Sequence, residues 1–340
     1  MMREANRACS DWQARTRRTS DFALPARAAR SAGWLHSGHA ATPATADPTH
    51  AGTGAAYACA QTVYKLVRPD GTVHYTDRQP HSLEGVEKIQ VRAEVQQIAR
   101  LRVENDSELR HAVVGNVLHG PLEIQLIAAE ASNLQSEPAL PLRTVLTGEG
   151  EQRVAVFGPL DPTQGWGFSL QLQAMPGDPR AVHDDVGYIV PLEGKAWRID
   201  QGWGGRFSHT SAESRHAVDF SAPEGTPVLA AREGVVMQIA DDFRGAGLDL
   251  EKYGARANFV RILHADGSMG LYAHLAPESA RVGPGARVRA GQVIGAVGST
   301  GYSTGPHLHF VVQVNRGLKV ESVPFRMHGP SGALRIPGAP

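Results

Sequence analysis

The run His307-Leu308-His309-Phe310-Val311-Val312-Gln313-Val314 constrains this chain more than any other. Its β-branched and aromatic residues favour a strand. In a strand, residues i and i+2 point to the same face, so His307 and His309 project together into one space. One further histidine and one carboxylate would complete three protein ligands with an open fourth position. That open position separates a catalytic zinc from a closed structural one.

Composition narrows what surrounds that strand. A chain of 340 residues predicts two or three domains rather than one core. Lys and Arg total 34 against 34 Asp and Glu, which leaves no electrostatic footprint for nucleic acid. The 37 glycines and 22 prolines, with few long helical patterns, point to turns and β-structure. The only cysteines, Cys9 and Cys59, lie in the N-terminal stretch, so a metal site in the body must use His and carboxylate. A cysteine-free body suits an oxidising compartment.

The spacing of turn signals predicts five segments. Residues 1–56 are rich in Ala, Arg, Thr and His, without periodicity. They hold no apolar run long enough to span a bilayer and no convincing signal-peptide core. Ala55-Ala56-Tyr57-Ala58-Cys59-Ala60-Gln61 resembles the small-residue end of a cleavage site. The stretch is therefore either a leader with a misassigned start or a disordered tail. Residues 57–87 predict a small hairpin, with Val63–Val67 and Val73–Thr76 joined at Pro69-Asp70-Gly71. Residues 88–190 alternate apolar and polar positions in short strands such as Leu122–Leu126, Arg153–Phe157 and Gly167–Leu172, predicting an immunoglobulin-like β-sandwich. Residues 191–326 predict a tightly coiled antiparallel β-domain, and 327–340 a flexible Gly/Pro-rich tail. The chain as a whole is expected to be mainly β.

Four blocks in residues 191–326, the third unit after the hairpin and the sandwich, carry chemistry in register: Phe207-Ser208-His209 with Ala217-Val218-Asp219-Phe220; Ala222-Pro223-Glu224-Gly225-Thr226-Pro227-Val228; Tyr272-Ala273-His274-Leu275; and Gly298 through Phe310. Together, from Gln201 to Val314, they resemble the lysostaphin-type zinc endopeptidases of bacterial cell walls. The hairpin, with its Tyr-Lys…Asp-Gly…His-Tyr-Thr-Asp pattern, resembles a short module at the start of Gram-negative envelope proteins. The resemblance implies one zinc per chain, held by a histidine upstream of Ala-Val-Asp, by Asp219 and by His309. It also implies that His274 and His307 flank the activated water and the substrate carbonyl. Zinc lowers the pKa of water toward about 7, and histidine exchanges protons near that pH.

One position departs from the simplest family pattern. Where the common form has histidine four residues before the aspartate, this chain has Arg215. His216 and His209 are both candidates for the first ligand. If 216–219 is a strand, His216 and Asp219 face opposite ways, which favours His209. A mobile loop, Ser211–Ser214, would then carry His209 in. His264 reads as a strand-end residue, and His111, His119 and His183 as surface or packing residues. Asn258 reads as a turn residue or an organiser of the site, and 241–256 as a lid or a plain loop. The resemblance implies a peptidoglycan substrate, a periplasmic or secreted location in a Gram-negative bacterium, and cell-envelope protein partners. The competing expectations are a non-catalytic regulator that binds peptidoglycan and activates an amidase, and a metalloprotease of soluble peptides.

Overall fold

The computed structural model describes residues 59–67, 73–76, 82, 86–93, 96–254, 256–329 and 331–340. The expected leader and the Pro69–Gly71 turn lie outside these residues. Among them the fold is almost wholly β, with one four-residue helix, α1 (Leu250–Tyr253). No helix among the described residues is long and apolar enough to cross a membrane.

The first sheet holds β1 (Cys59–Val67), β2 (Val73–Thr76) and β3 (Val86–Ala93) in the order β2-β1-β3. The expected hairpin thus has a third strand, whose residues the sequence reading divided between two modules. Cys59, read with the leader, opens β1.

Seven strands follow in two sheets. β4 (Ala99–Asp106), β5 (Leu109–Asn116), β7 (Leu134–Glu137) and β9 (Gly150–Pro159) pair as β4-β5-β9-β7. β6 (Leu122–Ser132), β8 (Leu142–Leu146) and β10 (Gly167–Pro176) pair as β10-β6-β8. Both sheets feed one apolar cluster, in which Ala112, Ala155 and Phe157 meet Leu126 and Leu170. A second cluster, with Val114, Leu122, Ile124 and Leu146, admits Met237 and Met269 from farther along the chain. The joint is also polar. Glu123, 1% exposed, accepts from Arg143 Nε at 2.5 Å, Asn315 Nδ2 at 2.9 Å and the Leu318 N–H at 2.6 Å. Three donors on one buried carboxylate offset its loss of hydration.

β11 (Gly187–Ile189) leads into the third unit, whose main sheet runs β12-β13-β22-β18-β17-β15-β19, with β23 also on β22. These strands are β12 (Arg198–Gln201), β13 (Val218–Ser221), β15 (Gly234–Ala240), β17 (Phe259–Leu263), β18 (Met269–Ala273), β19 (Arg287–Val288), β22 (His307–Asn315) and β23 (Val320–Ser322). All pairings in this sheet are antiparallel. β14 (Pro227–Leu229) pairs with β20 (Val293–Ala296), and β16 (Ala246–Gly247) with β21 (Gly301–Tyr302). Val228, Phe220, Ile262, Tyr272, Leu308 and Phe310 share one core.

Two boundaries are corrected. β11 pairs in parallel with β24 (Arg326–Gly329), and Tyr188 and Val190 enter the main core, so residues 187–190 belong to the third unit. Of the stretch expected as a flexible tail, 327–340, the described residues 327–329 and 331–340 are folded. β24 continues into β25 (Gly332–Ala333), Ile336 is 4% exposed in the main core, and the Trp203 N–H donates to Pro337 O. Tertiary packing orders a segment whose local composition has no strand or helix signal.

Candidate functional site

Sheet register assembles the site. On the central strands Asp219 lies directly opposite His309, and Ala273 opposite His309 on its other side. The row thus runs from β13 through β22 to β18, and His274 leaves β18 one residue later. Alternation sends Phe220, Leu308 and Phe310 into the core and leaves Asp219, His307 and His309 on the other face. A β-bulge between Ile199 and Gln201 brings Gln201, rather than Asp200, opposite Asp219. The bulge re-aims that side chain onto the site face, where Gln201 Nε2 donates to Asp219 Oδ2 at 3.0 Å.

The remaining ligand candidate comes from a turn. His209 is fully buried, and its Nδ1 donates to the Gly202 carbonyl at 2.7 Å. With Nδ1 protonated, the neutral ring turns the Nε2 lone pair inward. That buried Nε2 has no hydrogen-bond partner, yet it lies 3.1 Å from Asp219 Oδ1. Two lone-pair atoms at this distance call for a cation between them. His309 Nδ1 reaches the same oxygen at 2.8 Å. One ligand atom from each of His209, Asp219 and His309 lies within 4.8 Å of the others. The donor set, two imidazoles and one carboxylate with solvent access through His309, fits a metal that keeps an open position. Burial opposes ionisation of Asp219, but the His209 and His309 rings beside it outweigh that and hold the carboxyl well below its usual range.

His216 is placed elsewhere. Its Nδ1 lies 3.0 Å from Ser322 O, and its ring meets the Trp203 edge. The segment Ser211–Ser214 is a hydrogen-bonded turn, with Ser214 N on Ser211 O, Ser214 Oγ on Ser208 O, and the Ser322 N–H on Ala212 O.

His274 and His307 stand beside the cluster, their ring centroids 4.6 Å apart, with His274 also 5.8 Å from His309. His274 takes a left-handed φ of 64°, and its Nδ1 donates to Thr300 O at 2.7 Å. His307 Nδ1 donates to Gly305 O at 2.9 Å. Each ring therefore keeps Nε2 as its free acceptor. Enclosure, with His307 and His309 nearby, pushes His274 down to about 3, so its ring is neutral at neutral pH although its edge reaches solvent.

Other residues support the site. Asn258, fully buried, clamps three segments: its Oδ1 accepts the Phe243 N–H, its Nδ2 donates to Phe243 O, and its own N–H donates to Thr300 Oγ1. It thereby seats the carbonyl that orients His274. The 241–256 segment is tied to the site through Gly301 N on Gly245 O and Ser303 N on Gly247 O, so it forms part of the wall. Phe207, 54% exposed, stacks on Tyr302 at 5.7 Å and joins the two walls. His264 is buried, donates Nδ1 to Glu233 O and packs edge-on to Tyr188, away from the metal cluster.

Residues 213–321 match peptidase family M23. The chain is 46% identical over 98 residues to a DD-carboxypeptidase/endopeptidase, Mpg, of Neisseria meningitidis, covering 29% of this chain and 20% of that protein. It is 38% identical over 104 residues to the peptidoglycan DD-endopeptidase ShyC of Vibrio cholerae, covering 30% and 21%. Among solved structures, it is 29% identical to the catalytic domain of the M23 protein EnpA from Enterococcus faecalis, covering 40% of this chain and 93% of that one, with a TM-score of 0.29. The chain carries a peptidase family M23 domain. The matched stretches span about a fifth of the curated relatives' own length. The family match begins after His209 and takes in Asp219, His274, His307 and His309.

Proposed function

We propose that this protein is a zinc-dependent endopeptidase that hydrolyses peptide bonds in peptidoglycan stems or cross-links, outside the cytoplasm. The observation that carries the reading is the inward, unpartnered Nε2 of His209 beside Asp219 and His309, with the imidazoles of His274 and His307 at the rim. His209 through Nε2, Asp219 through Oδ1 and His309 through Nδ1 would hold the ion. A bound zinc supplies Lewis acidity that lowers the pKa of water and polarises a carbonyl. One carboxylate among the three ligands leaves the site net positive, at about +1.

The protein's own groups handle the protons. His274 and His307 have their Nδ1 protons committed to main-chain carbonyls, so each offers Nε2 to the groove. One ring accepts the proton of the attacking water, and in its charged form it can pass that proton to the leaving amine. The other, once protonated, donates to the oxyanion. The carbonyls of Thr300 and Gly305 fix both tautomers, so no ring must turn during reaction. The name of the Vibrio relative supports the substrate class. The seven strands in two sheets, as an accessory module, and the first sheet would recruit or position the domain at the envelope. The complete set of five residues disfavours a regulator without catalysis.

The test is zinc content and peptidoglycan hydrolysis by the whole chain, with products identified by mass spectrometry. One zinc per chain, new free amines on stem peptides, and loss of both in Asp219→Ala are expected. Hydrolysis that survives full metal removal would overturn the mechanism.

A further inference from the structure

We propose that the segment 334–339 is a positioning strap for His209, acting through the Gly202–Trp203 peptide. The proposal rests on the reading of His209 as a metal ligand. The Trp203 N–H donates to Pro337 O at 2.8 Å, while the Gly202 carbonyl accepts His209 Nδ1–H at 2.7 Å. These two groups are the ends of one peptide unit. The unit is planar, and its N–H and C=O point in opposite directions, so fixing one end aims the other. Pro337 therefore sets the direction of the carbonyl that chooses the His209 tautomer.

The contact is built to be close. A Cβ on Gly202 would sit 2.1 Å from Pro337 O. Gly338 has φ +82°, and a Cβ there would sit 2.2 Å from Trp203 O. Only glycine meets both conditions at position 338. The strap is anchored in turn: Ile336 is 4% exposed in the main core, Leu334 N donates to Met327 O, and Ala339 N donates to Ile336 O. Gly204 N on Arg215 O and the Trp203 ring edge-on to Phe325 hold the far side of the loop.

Released from Pro337, the peptide beside Gly202 is free to rotate, because glycine imposes little barrier of its own. His209 then loses its acceptor, and a ring that carries its proton on Nε2 cannot ligate through that atom. Outer partners of metal-bound histidines typically change metal affinity by about 10- to 100-fold, and the strap acts on such a partner.

The test measures zinc affinity of the whole chain by chelator competition, and records ¹⁵N spectra of the histidine rings in the metal-free protein. Gly338→Ala, and a chain ended after Leu334, are expected to bind zinc about tenfold more weakly or worse. In both, the His209 ring is expected to shift from the Nδ1–H form toward a tautomer mixture. Val288→Ala, a core change on the distant β19, should lower stability without moving either readout. If the shortened chain does not fold, Gly338→Ala decides. In the wild type alone, a fast-exchanging Trp203 amide would already overturn the strap. Unchanged affinity and tautomer in Gly338→Ala would do so as well, provided His209→Ala abolishes binding. If wild type and His209→Ala bind zinc equally, the ligand assignment itself has failed.

Discussion

The site is built in two ways that contrast sharply. Asp219 and His309 sit on neighbouring central strands, where one register pair sets their separation. His209 sits in a turn, and its ring is aimed by a main-chain carbonyl whose own direction depends on Pro337, far along the chain. The strand-borne half is held by a ladder of main-chain hydrogen bonds over a packed core. The turn-borne half is held by single contacts, each of which can be lost separately. The contrast teaches that a metal site can be rigid on one side and conditional on the other.

The largest effect tests the strand side. His309→Ala is expected to abolish both bound zinc and hydrolysis, read by metal analysis and product release; retention of either would break the comparison at its base. Phe310→Ala probes the core beneath, where the ring is fully buried with Tyr272 and Phe325 at 5.0 and 5.3 Å. It should cost about 3–5 kcal/mol of stability in denaturant titration. A cost below ~1 kcal/mol would mean that the strands are not held from below.

Acid should weaken the same half. Burial pushes His264 down to about 4 from 6.5, with Arg232 adding to the effect against the Glu233 hydrogen bond. The unfolded chain therefore takes up the proton first as pH falls, and this contribution is full above about 6.5 and is lost progressively toward about 4. By pH 5 the loss is on the order of 2 kcal/mol. His264→Gln, which keeps a donor for Glu233 O, should flatten the Tm–pH curve in that window, and an unchanged curve would contradict the assignment.

Smaller effects sharpen both sides. Gln201→Leu removes the donor to Asp219 Oδ2 and should weaken zinc about 10-fold. His216→Ala, facing Ser322, should leave zinc affinity within about twofold, since outer-partner effects of the order seen for metal histidines need a contact it lacks.

What was legible in the sequence follows the same division. Alternation placed β10 and β22, and His307 with His309, because strand period is a local property. The choice of His209 over His216 rested on a strand over 216–219; the strand begins only at Val218 and His216 lies in a turn, while His209 is brought to Asp219. The bulge that turns Gln201, the Thr300 carbonyl under His274 and the folding of 331–340 were not legible. Each depends on a partner distant in sequence, and none of these residues has a composition that marks its role. The division at residue 190 failed for the same reason, since only pairing with β24 assigns Tyr188 to the later core.

The buried carboxylate of Glu123, with Met237 and Met269 seated among Leu122, Ile124 and Leu146, has a practical meaning for anyone who cuts this chain. A fragment limited to residues 213–321 would bare two methionines, strand Asn315 and Leu318 without their acceptor, and omit His209 altogether. Such a fragment should come out insoluble and metal-poor. Calorimetry on the intact chain should instead record the seven accessory strands and the peptidase sheet melting together, as one heat-absorption peak.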